Sequence, residues 1–465
     1  MMPLALVITV LAALTIGDLT PTEPATHGLA RAFCVAGAIL ALGLFAFGGS
    51  LALAGEIGLA RAPRELGRAW YDRLKQVHFF LWIGSAAAVL YILDWPRIVR
   101  CNWGLQGSFL LDELLILAPV LLPPLIAWAA FYEVDRVLES DASGEPAATL
   151  GTRWQYLLLH VRHYYALVLA PVLFLIAVQD GVSIAAPWIA DSSWAGLICV
   201  PPLILSVVLL PWVVRAIWPS IPLEAGPLRE RLQAAAKRLG ISISEILVWQ
   251  TEGTMTNAAV VGLLPQFRYV LLSDALIAKL PEDEVEAVFC HELGHLKAGH
   301  LPLRLALVAA PLVVWGGVLA AMPECPAALQ IMIAEAGLGA ELQQMVLVPI
   351  AATTYAALAL GWYSTALEYE ADLYACRTND APLDNPLSAA GIATYLRALD
   401  RLAEVSGADR NSSSWMHPSL RQRMAFLERV AADRAVAADF EWRLRMVGWG
   451  ILGTILFSLA MIAVG

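Results

Sequence analysis

The sequence predicts a mainly α-helical, polytopic membrane protein with about nine transmembrane helices and a cytoplasmic α+β domain. The first observation is composition: 59% of the 465 residues are hydrophobic and 15% are charged, and the mean hydropathy is +0.66. An average soluble chain has fewer apolar and more charged residues. The second observation is that long apolar segments alternate with loops that differ sharply in their content of lysine and arginine.

Nine apolar segments are candidates to cross a bilayer core as helices that rise 1.5 Å per residue. The first is the shortest and lacks the positive charge that precedes the apolar region of a signal peptide. We interpret it as a short span, with a cleaved signal as the alternative. The nine segments cover residues 3–17, 32–54, 77–93, 110–131, 164–186, 195–218, 305–322, 345–365 and 447–464.

The distribution of positive charge predicts the orientation of these spans. Alternate loops, at residues 55–76, 132–163, 215–304 and 365–446, hold 27 of the 30 lysines and arginines. Positively charged loops face the cytoplasm, so we expect the N-terminus and both large polar segments on that side. The net charge of −10 is dispersed without a basic tract, which argues against a nucleic-acid partner.

The spans and polar segments together predict five regions along the chain. A six-span membrane region covers residues 1–218, and a cytoplasmic block covers 219–303. A two-span hairpin follows at 304–365, and then a cytoplasmic helical block at 366–446. A last transmembrane helix is predicted at 447–465.

The first cytoplasmic block reads as a helix, short strands and a second helix. The stretch "PLRERLQAAAKRLG" places its apolar residues on one helical face and Gly240 at the C-terminal cap. "EILVW", "TNAAVV" and "FRYVLL" read as strands, the last two joined by a turn at "GLLPQ". "LPEDEVEAVFCHELGHLKAGH" then reads as one helix, with Pro281 in its first turn and three acidic residues at the positive end of its dipole.

The "HELGH" motif in that helix has the spacing of a metal site. His291 and His295 are four residues apart, so both imidazoles project from one helical face and can bind one Zn²⁺. Glu292 points to the side, where it can take a proton from a water molecule without being a ligand. The alternative is a surface helix with incidental histidines. Cys290 and the apolar residues around it favour a partly buried helix instead, and for His300 we expect only a structural role.

A third ligand is available from "ALEYEADLYAC", just after the eighth predicted span. Glu368 and Asp372 are four residues apart and share a helical face, whereas Glu370 points elsewhere. Two acids at a membrane boundary can simply be solvated charges. Beside two histidines that lack a third ligand, Glu368 is the better candidate, and Asp372 can orient a ligand imidazole.

Four motifs, "TNAAVVG", "RYVLLSDALIAKLPEDEVEAVFCHELGHLKAGH", "EYEAD" and "HPSLRQRM", occur in the order found in a known family. Over about residues 220–300 and 360–427 the chain resembles the gluzincin-type integral-membrane zinc metalloproteases, which include the CaaX prenyl endopeptidases and HtpX. The resemblance implies a gluzincin-like protease domain with one Zn²⁺. It implies His291, His295 and Glu368 as ligands, Glu292 as general base and Asp372 as the supporting carboxylate. The predicted membrane region matches neither of these two subfamilies well.

The same resemblance implies residues that act on the substrate. It places Asn257 and Ala258 on an edge strand, and such a strand can bind an extended peptide main chain to main chain. It also makes His417 and Arg423 the residues that stabilise the tetrahedral intermediate or bind substrate, a task suited to an imidazole or cation near the metal. Apart from the resemblance, His417 reads as an ordinary surface histidine.

These observations predict a membrane-embedded zinc endopeptidase in the lipid bilayer that cleaves peptides or membrane proteins near the cytoplasmic face. Membrane-protein quality control and peptide or lipopeptide processing both fit. The alternatives are a sensor-transducer protease that cuts a regulator, a non-catalytic membrane scaffold, and a transporter. Cys290 and Cys376 are expected to be free thiols. Cys101 and Cys325 fall in predicted outer loops, where a disulfide between them is an open alternative.

Overall fold

The computed structural model describes most of the chain, in two compact units that are Met1–Trp218 and Pro219–Gly465. The described residues are 2–18, 22–59, 63–138, 151–190, 200–251, 253, 255–322, 324, 355, 359, 361–377, 387–406, 409–413 and 417–464.

The first unit is built from helices alone over its described residues. Its helices are α1 (Met2–Asp18), α2 (Gly28–Gly58), α3 (Arg64–Ala87), α4 (Trp95–Arg97), α5 (Leu111–Leu138), α6 (Arg153–His160), α7 (Leu167–Ala185), α8 (Pro187–Ala190) and α9 (Val200–Ile217). π-helical turns at Ala88–Ile92, Ile98–Asn102 and Val161–Ala166 extend three of them.

Two buried tryptophans compensate for prolines inside α5. A proline lacks the N–H that would bond to the carbonyl four residues earlier, so Pro119 and Pro124 leave the carbonyls of Leu115 and Val120 without their usual donors. Trp95 Nε1 donates to the Leu115 carbonyl and Trp82 Nε1 to the Val120 carbonyl, both at 2.9 Å. An apolar environment offers no water to donate hydrogen bonds to these two carbonyls. The indole N–H groups therefore allow a proline-rich helix in the core of the unit.

The second unit combines a small sheet with helices. Its elements are β1 (Ser220–Pro222), α10 (Pro227–Leu239), β2 (Glu245–Trp249), β3 (Ala258–Val261), β4 (Tyr269–Ser273), α11 (Asp274–Lys279), α12 (Glu282–Lys297), α13 (His300–Ala321), α14 (Trp362–Ala375), α15 (Ala389–Ser406), α16 (Leu420–Ala432) and α17 (Ala435–Val464).

The sheet has the order β1-β2-β4-β3, so β3 lies at one edge of the strands described. β2 and β4 are parallel, whereas β3 and β4 form the antiparallel hairpin that the sequence predicts. Its connection starts at Gly262, with φ of +108° and with the Phe267 carbonyl oxygen only 2.2 Å from where a Cβ would be. Both features require glycine. Gly240, at φ +67°, caps α10 as predicted.

The predicted helix through the "HELGHLKAGH" stretch is shorter than expected. Pro281 precedes the first helical residue as the N-cap, and α12 ends at Lys297. Gly299 has φ of +72°, which turns the chain, and His300 begins α13. The predicted continuation of one helix to His300 is therefore wrong, because a left-handed glycine ends it first.

The described helices are those of a multi-pass membrane protein that is mainly helical. Five are long and apolar enough to cross a bilayer: Gly28–Gly58, Glu65–Ile92, Leu111–Leu138, Arg153–Ala185 and Ala435–Ala463. A sixth candidate is α13, which bends by 46° around Pro311. α1 and α9 are apolar but shorter, and most of the span predicted at 345–365 lies outside the described residues. The count of nine spans thus stays a prediction.

Candidate metal centre

Three side chains from two helices converge on one point of the second unit. His291 and His295 lie on α12 and Glu368 on α14, and one donor atom from each falls within 4.8 Å of the others. The Glu368 carboxylate bridges the pair, with Oε2 3.6 Å from His291 Nε2 and Oε1 3.6 Å from His295 Nε2. Two imidazoles and one carboxylate are the donor set of a catalytic zinc site, so the residues present fit the ion that the sequence implies.

The close packing of α12 on α14 brings these ligands together. Gly294 lies between the two histidines in sequence, and a Cβ built on it would be 2.8 Å from the Tyr374 Cβ and 3.2 Å from the Ala371 Cα. Ordinary carbon contacts are about 3.5–4.0 Å. The absence of a side chain at Gly294 therefore sets the separation of the two ligand helices.

A buried polar cluster holds His291 from behind. Its Nδ1 lies 3.1 Å from Asp372 Oδ1 and 3.1 Å from the Tyr395 hydroxyl, which donates to the same carboxylate oxygen at 2.9 Å. Arg423 donates from Nε to Asp372 Oδ2 at 3.0 Å. With Nδ1 engaged in this cluster, Nε2 of His291 is the nitrogen left for a metal.

The electrostatics of the cluster favour a cation. Burial alone lowers the pKa of His291, but hydrogen bonds with Asp372 and Glu368 outweigh it and raise that pKa to about 9. Burial also lowers the pKa of His295, to about 2, with the charge of His291 adding to the effect. For Glu368, hydrogen bonds with His291 and His417 overcome burial and hold its pKa well below the usual range. The carboxylates that raise the pKa of His291 thus favour a positive charge at this point, and a bound divalent metal would displace the proton that His291 holds there.

Glu292 is half-buried and faces the same cavity as the three clustered residues, which has a volume of about 510 Å³. Burial is the main cause that raises the pKa of its carboxyl to about 7, and the nearby charge of Glu368 acts in the same direction. A carboxylate with a pKa near the operating pH is suited to taking up and returning a proton.

The structure places the two residues of the "HPSLRQR" motif differently. His417 is exposed in the cavity, with Nδ1 3.3 Å from Glu368 Oε2. Arg423 is largely buried, with its guanidinium on Asp372 and one terminal nitrogen 3.4 Å from His291 Nδ1. Both therefore lie beside the predicted ligands, but the charge of Arg423 is directed at the carboxylate behind His291.

Asn257 and Ala258 line the same cavity, where β3 begins. The Asn257 carbonyl accepts from the Ser273 N–H at 2.9 Å, and the Asn257 N–H donates to the Ser273 Oγ at 3.0 Å. The side-chain Oδ1 of Asn257 accepts from the Ala258 N–H at 2.9 Å. That side chain therefore stabilises the start of the strand. Among the described strands, β3 pairs on one side only, so its other backbone edge lies at the border of the sheet.

Four further residues touch the centre although the sequence assigned them no functional role. Tyr395 belongs to the cluster behind His291, and an Arg304 terminal nitrogen lies 3.2 Å from Glu368 Oε1. His300 contacts His295, and Glu370 contacts His300. The one available sequence signal was Gly299, which permits a turn immediately before His300.

The comparisons with known proteins agree with this site. Residues 222–431 match the model of peptidase family M48. A protease HtpX homolog from Aeropyrum pernix is 34% identical over 96 residues, which cover 19% of this chain and 30% of that protein. A CAAX prenyl protease 1 homolog from Arabidopsis thaliana is 30% identical over 139 residues, 29% of this chain and 30% of the relative. CAAX prenyl protease 1 from Saccharomyces cerevisiae is 29% identical over 101 residues, 21% and 22% of the two chains.

These matches span less than a third of the length of each relative. A crystal structure of S. mikatae Ste24p aligns with 87% of this chain and 99% of its own, at 15% identity and a TM-score of 0.43. The match to the model of peptidase family M48, at residues 222–431, includes every residue of the candidate metal centre.

Proposed function

We propose that this protein is a membrane-embedded, zinc-dependent endopeptidase that hydrolyses bonds in peptides or membrane proteins near the cytoplasmic face of the bilayer. The observation that carries the proposal is one cavity that contains both a three-residue donor cluster and a separate carboxylate, Glu292. The family match and the protease relatives support peptide or protein substrates. The alternation of positive loops supports the cytoplasmic side.

In this proposal His291, His295 and Glu368 hold the zinc ion. Bound there, zinc supplies Lewis acidity, which polarises a carbonyl oxygen and acidifies a water molecule. Glu292 takes a proton from the attacking water and returns it to the nitrogen of the leaving amine. Asp372 holds His291 in the orientation and tautomer that leave Nε2 available.

The substrate main chain binds along the β3 edge at Asn257 and Ala258, which tolerates many side chains because the contacts are between backbones. His417, exposed in the cavity, is placed to donate to the oxyanion of the tetrahedral intermediate. Arg423 acts on the same reaction through Asp372 and His291. For the membrane arrangement, the proposal includes nine transmembrane spans and the five regions predicted from the sequence.

The test compares metal content and cleavage in purified protein. Glu292→Gln should keep one zinc per chain, measured by elemental analysis, and lower peptide cleavage by about 10²–10⁴-fold, the contribution of a general base. His291→Ala should lose both zinc and cleavage. Glu428→Gln, on an exposed part of α16, is the matched control and should keep both.

Cleavage by Glu292→Gln at the wild-type rate would refute the base assignment. Wild-type protein that binds zinc without cleaving any peptide offered would favour a non-catalytic scaffold. If Glu292→Gln is inactive but folded, proteins that it retains from solubilised membranes identify the substrates, and a single retained regulator would favour the sensor-transducer alternative.

A further inference from the structure

His300 forms a second polar connection behind the metal centre. The side chain is buried, with 1% exposure, and it begins α13 directly after the left-handed Gly299 turns the chain. Its Nδ1 lies 2.7 Å from His295 Nδ1, and its Nε2 lies 3.1 Å from Glu370 Oε2. A chain of hydrogen bonds thus runs from His295 through His300 to Glu370.

The donors and acceptors of this chain of hydrogen bonds can be assigned in one consistent way. A carboxylate only accepts hydrogen bonds, so His300 Nε2 must carry the hydrogen that Glu370 accepts. A neutral His300 then has a bare Nδ1, and the single proton between the two Nδ1 atoms belongs to His295. His295 with hydrogen on Nδ1 has its lone pair on Nε2, the atom that faces Glu368 at 3.6 Å.

We propose that His300 and Glu370 are positioning residues that fix the tautomer and the ring orientation of His295. The inference rests on the proposed function, because it assigns to this pair a part in building the same zinc centre. His291 and His295 are then both held at Nδ1. Asp372 holds His291 directly, whereas Glu370 holds His295 through an intervening imidazole.

A purely structural role for His300 is the competing explanation, since a buried histidine needs hydrogen-bond partners in any case. That role would affect folding stability without affecting zinc. Removing a residue that orients a ligand imidazole typically weakens metal binding 10–100-fold. Zinc affinity and the environment of the bound metal therefore separate the two explanations.

The experiment uses the full-length protein in detergent and measures the zinc dissociation constant by competition with a chromophoric chelator. His300→Leu, which keeps apolar volume but has no acceptor, should raise the constant by about 10–100-fold. His300→Asn keeps an acceptor near the Nδ1 position and should raise it by less than about tenfold. Glu428→Leu, at an exposed carboxylate, is the control and should leave the constant unchanged.

Two further readouts respond to positioning and not to stability alone. The absorption spectrum of the Co²⁺-substituted protein should change in His300→Leu, because the ring of His295 is free to turn. Glu370→Leu should also weaken zinc binding. Because both residues act through one chain, the double variant His300→Leu/Glu370→Leu should bind zinc no more weakly than His300→Leu alone.

A folded His300→Leu protein with a wild-type zinc dissociation constant and a wild-type cobalt spectrum would overturn the inference. So would strictly additive losses in the double variant. If His300→Leu does not fold, His300→Asn and Glu370→Leu provide the same comparison. Wild-type protein that binds no zinc would refute the proposed function itself, whereas an active zinc protein with an insensitive His300 refutes only this inference.

Discussion

Gly294→Ala should weaken zinc binding although it changes no ligand. The added Cβ would lie 2.8 Å from the Tyr374 Cβ and 3.2 Å from the Ala371 Cα. These are about 0.3–1.2 Å shorter than ordinary carbon contacts of roughly 3.5–4.0 Å. Neither neighbour is the far end of a flexible side chain, so α12 and α14 must move apart.

The size of the effect follows from how strictly zinc fixes its ligand distances. A metal site tolerates about ±0.2 Å in its bond lengths, less than the separation that the alanine requires. Overpacking a core typically costs about 1–3 kcal/mol. If zinc binding restores the original helix separation, the whole cost appears as lost affinity. At 1.4 kcal/mol per factor of ten this is about 5- to 140-fold.

The assay is chelator competition for zinc, followed by peptide cleavage at saturating zinc. Cleavage should recover partly when zinc is added in excess, because the ligands themselves are intact. Gly450→Ala in α17 is the control, since a Cβ there meets no atom of the described residues within 4 Å. Wild-type zinc affinity in a folded Gly294→Ala protein would refute the claim that this contact sets the ligand spacing.

Three other expectations concern the pH profile, a buried hydrogen bond and the stabilisation by bound zinc. The pH profile of kcat/KM should fall on the acid side between pH 4.5 and about 7, because a protonated Glu292 cannot act as a base. Burial raises the pKa of Glu292 from 4.5 to about 7, and a bound cation lowers that pKa again. An acid limb above pH 7 would contradict this expectation. Tyr395→Phe should lower the free energy of unfolding by about 1.5–3 kcal/mol, the worth of a hydrogen bond to a charged group such as Asp372, and an unchanged denaturation midpoint would argue against that bond. Added zinc should raise the thermal unfolding temperature of the wild type but not that of His295→Ala, because zinc stabilises the folded state only when it binds to it. An equal rise in both proteins would indicate that zinc binds elsewhere.

The elements that the sequence predicted well are those set by local patterns. The strands "EILVW" and "FRYVLL" alternate or concentrate apolar residues within a few positions, and Gly240 terminates its helix through its own conformation. The relation between His291 and His295 is equally local, because side chains four residues apart lie on the same face of any helix. Glu368 is more than seventy positions away, and it could be predicted only because two histidines lack a third ligand.

The residues that sequence reasoning missed are those whose role depends on packing between distant segments. Tyr395 sits among the apolar positions of an amphipathic helix and reads as a core aromatic, while its hydroxyl is directed at Asp372 from α14. His300 was read as part of the preceding helix, and the turn at Gly299 that brings it to His295 cannot be obtained from a hydrophobic period. The 46° bend of α13 around Pro311 is a further feature that the length of an apolar run does not give.

The "HPSLRQR" motif shows how one sequence signal can contain two chemically different tasks. The resemblance groups His417 and Arg423 as residues that act on the substrate. Arg423 already has its charge matched by the fully buried Asp372, and donating to an oxyanion would require it to leave a buried carboxylate unpaired, which is costly. The His417 side chain is 58% exposed and lies at the edge of the donor cluster. Although its Nδ1 lies near Glu368, this exposure to solvent makes a change of partner less costly for His417 than for Arg423. We infer that His417 acts on the substrate oxyanion, while Arg423 stabilises the carboxylate that orients His291.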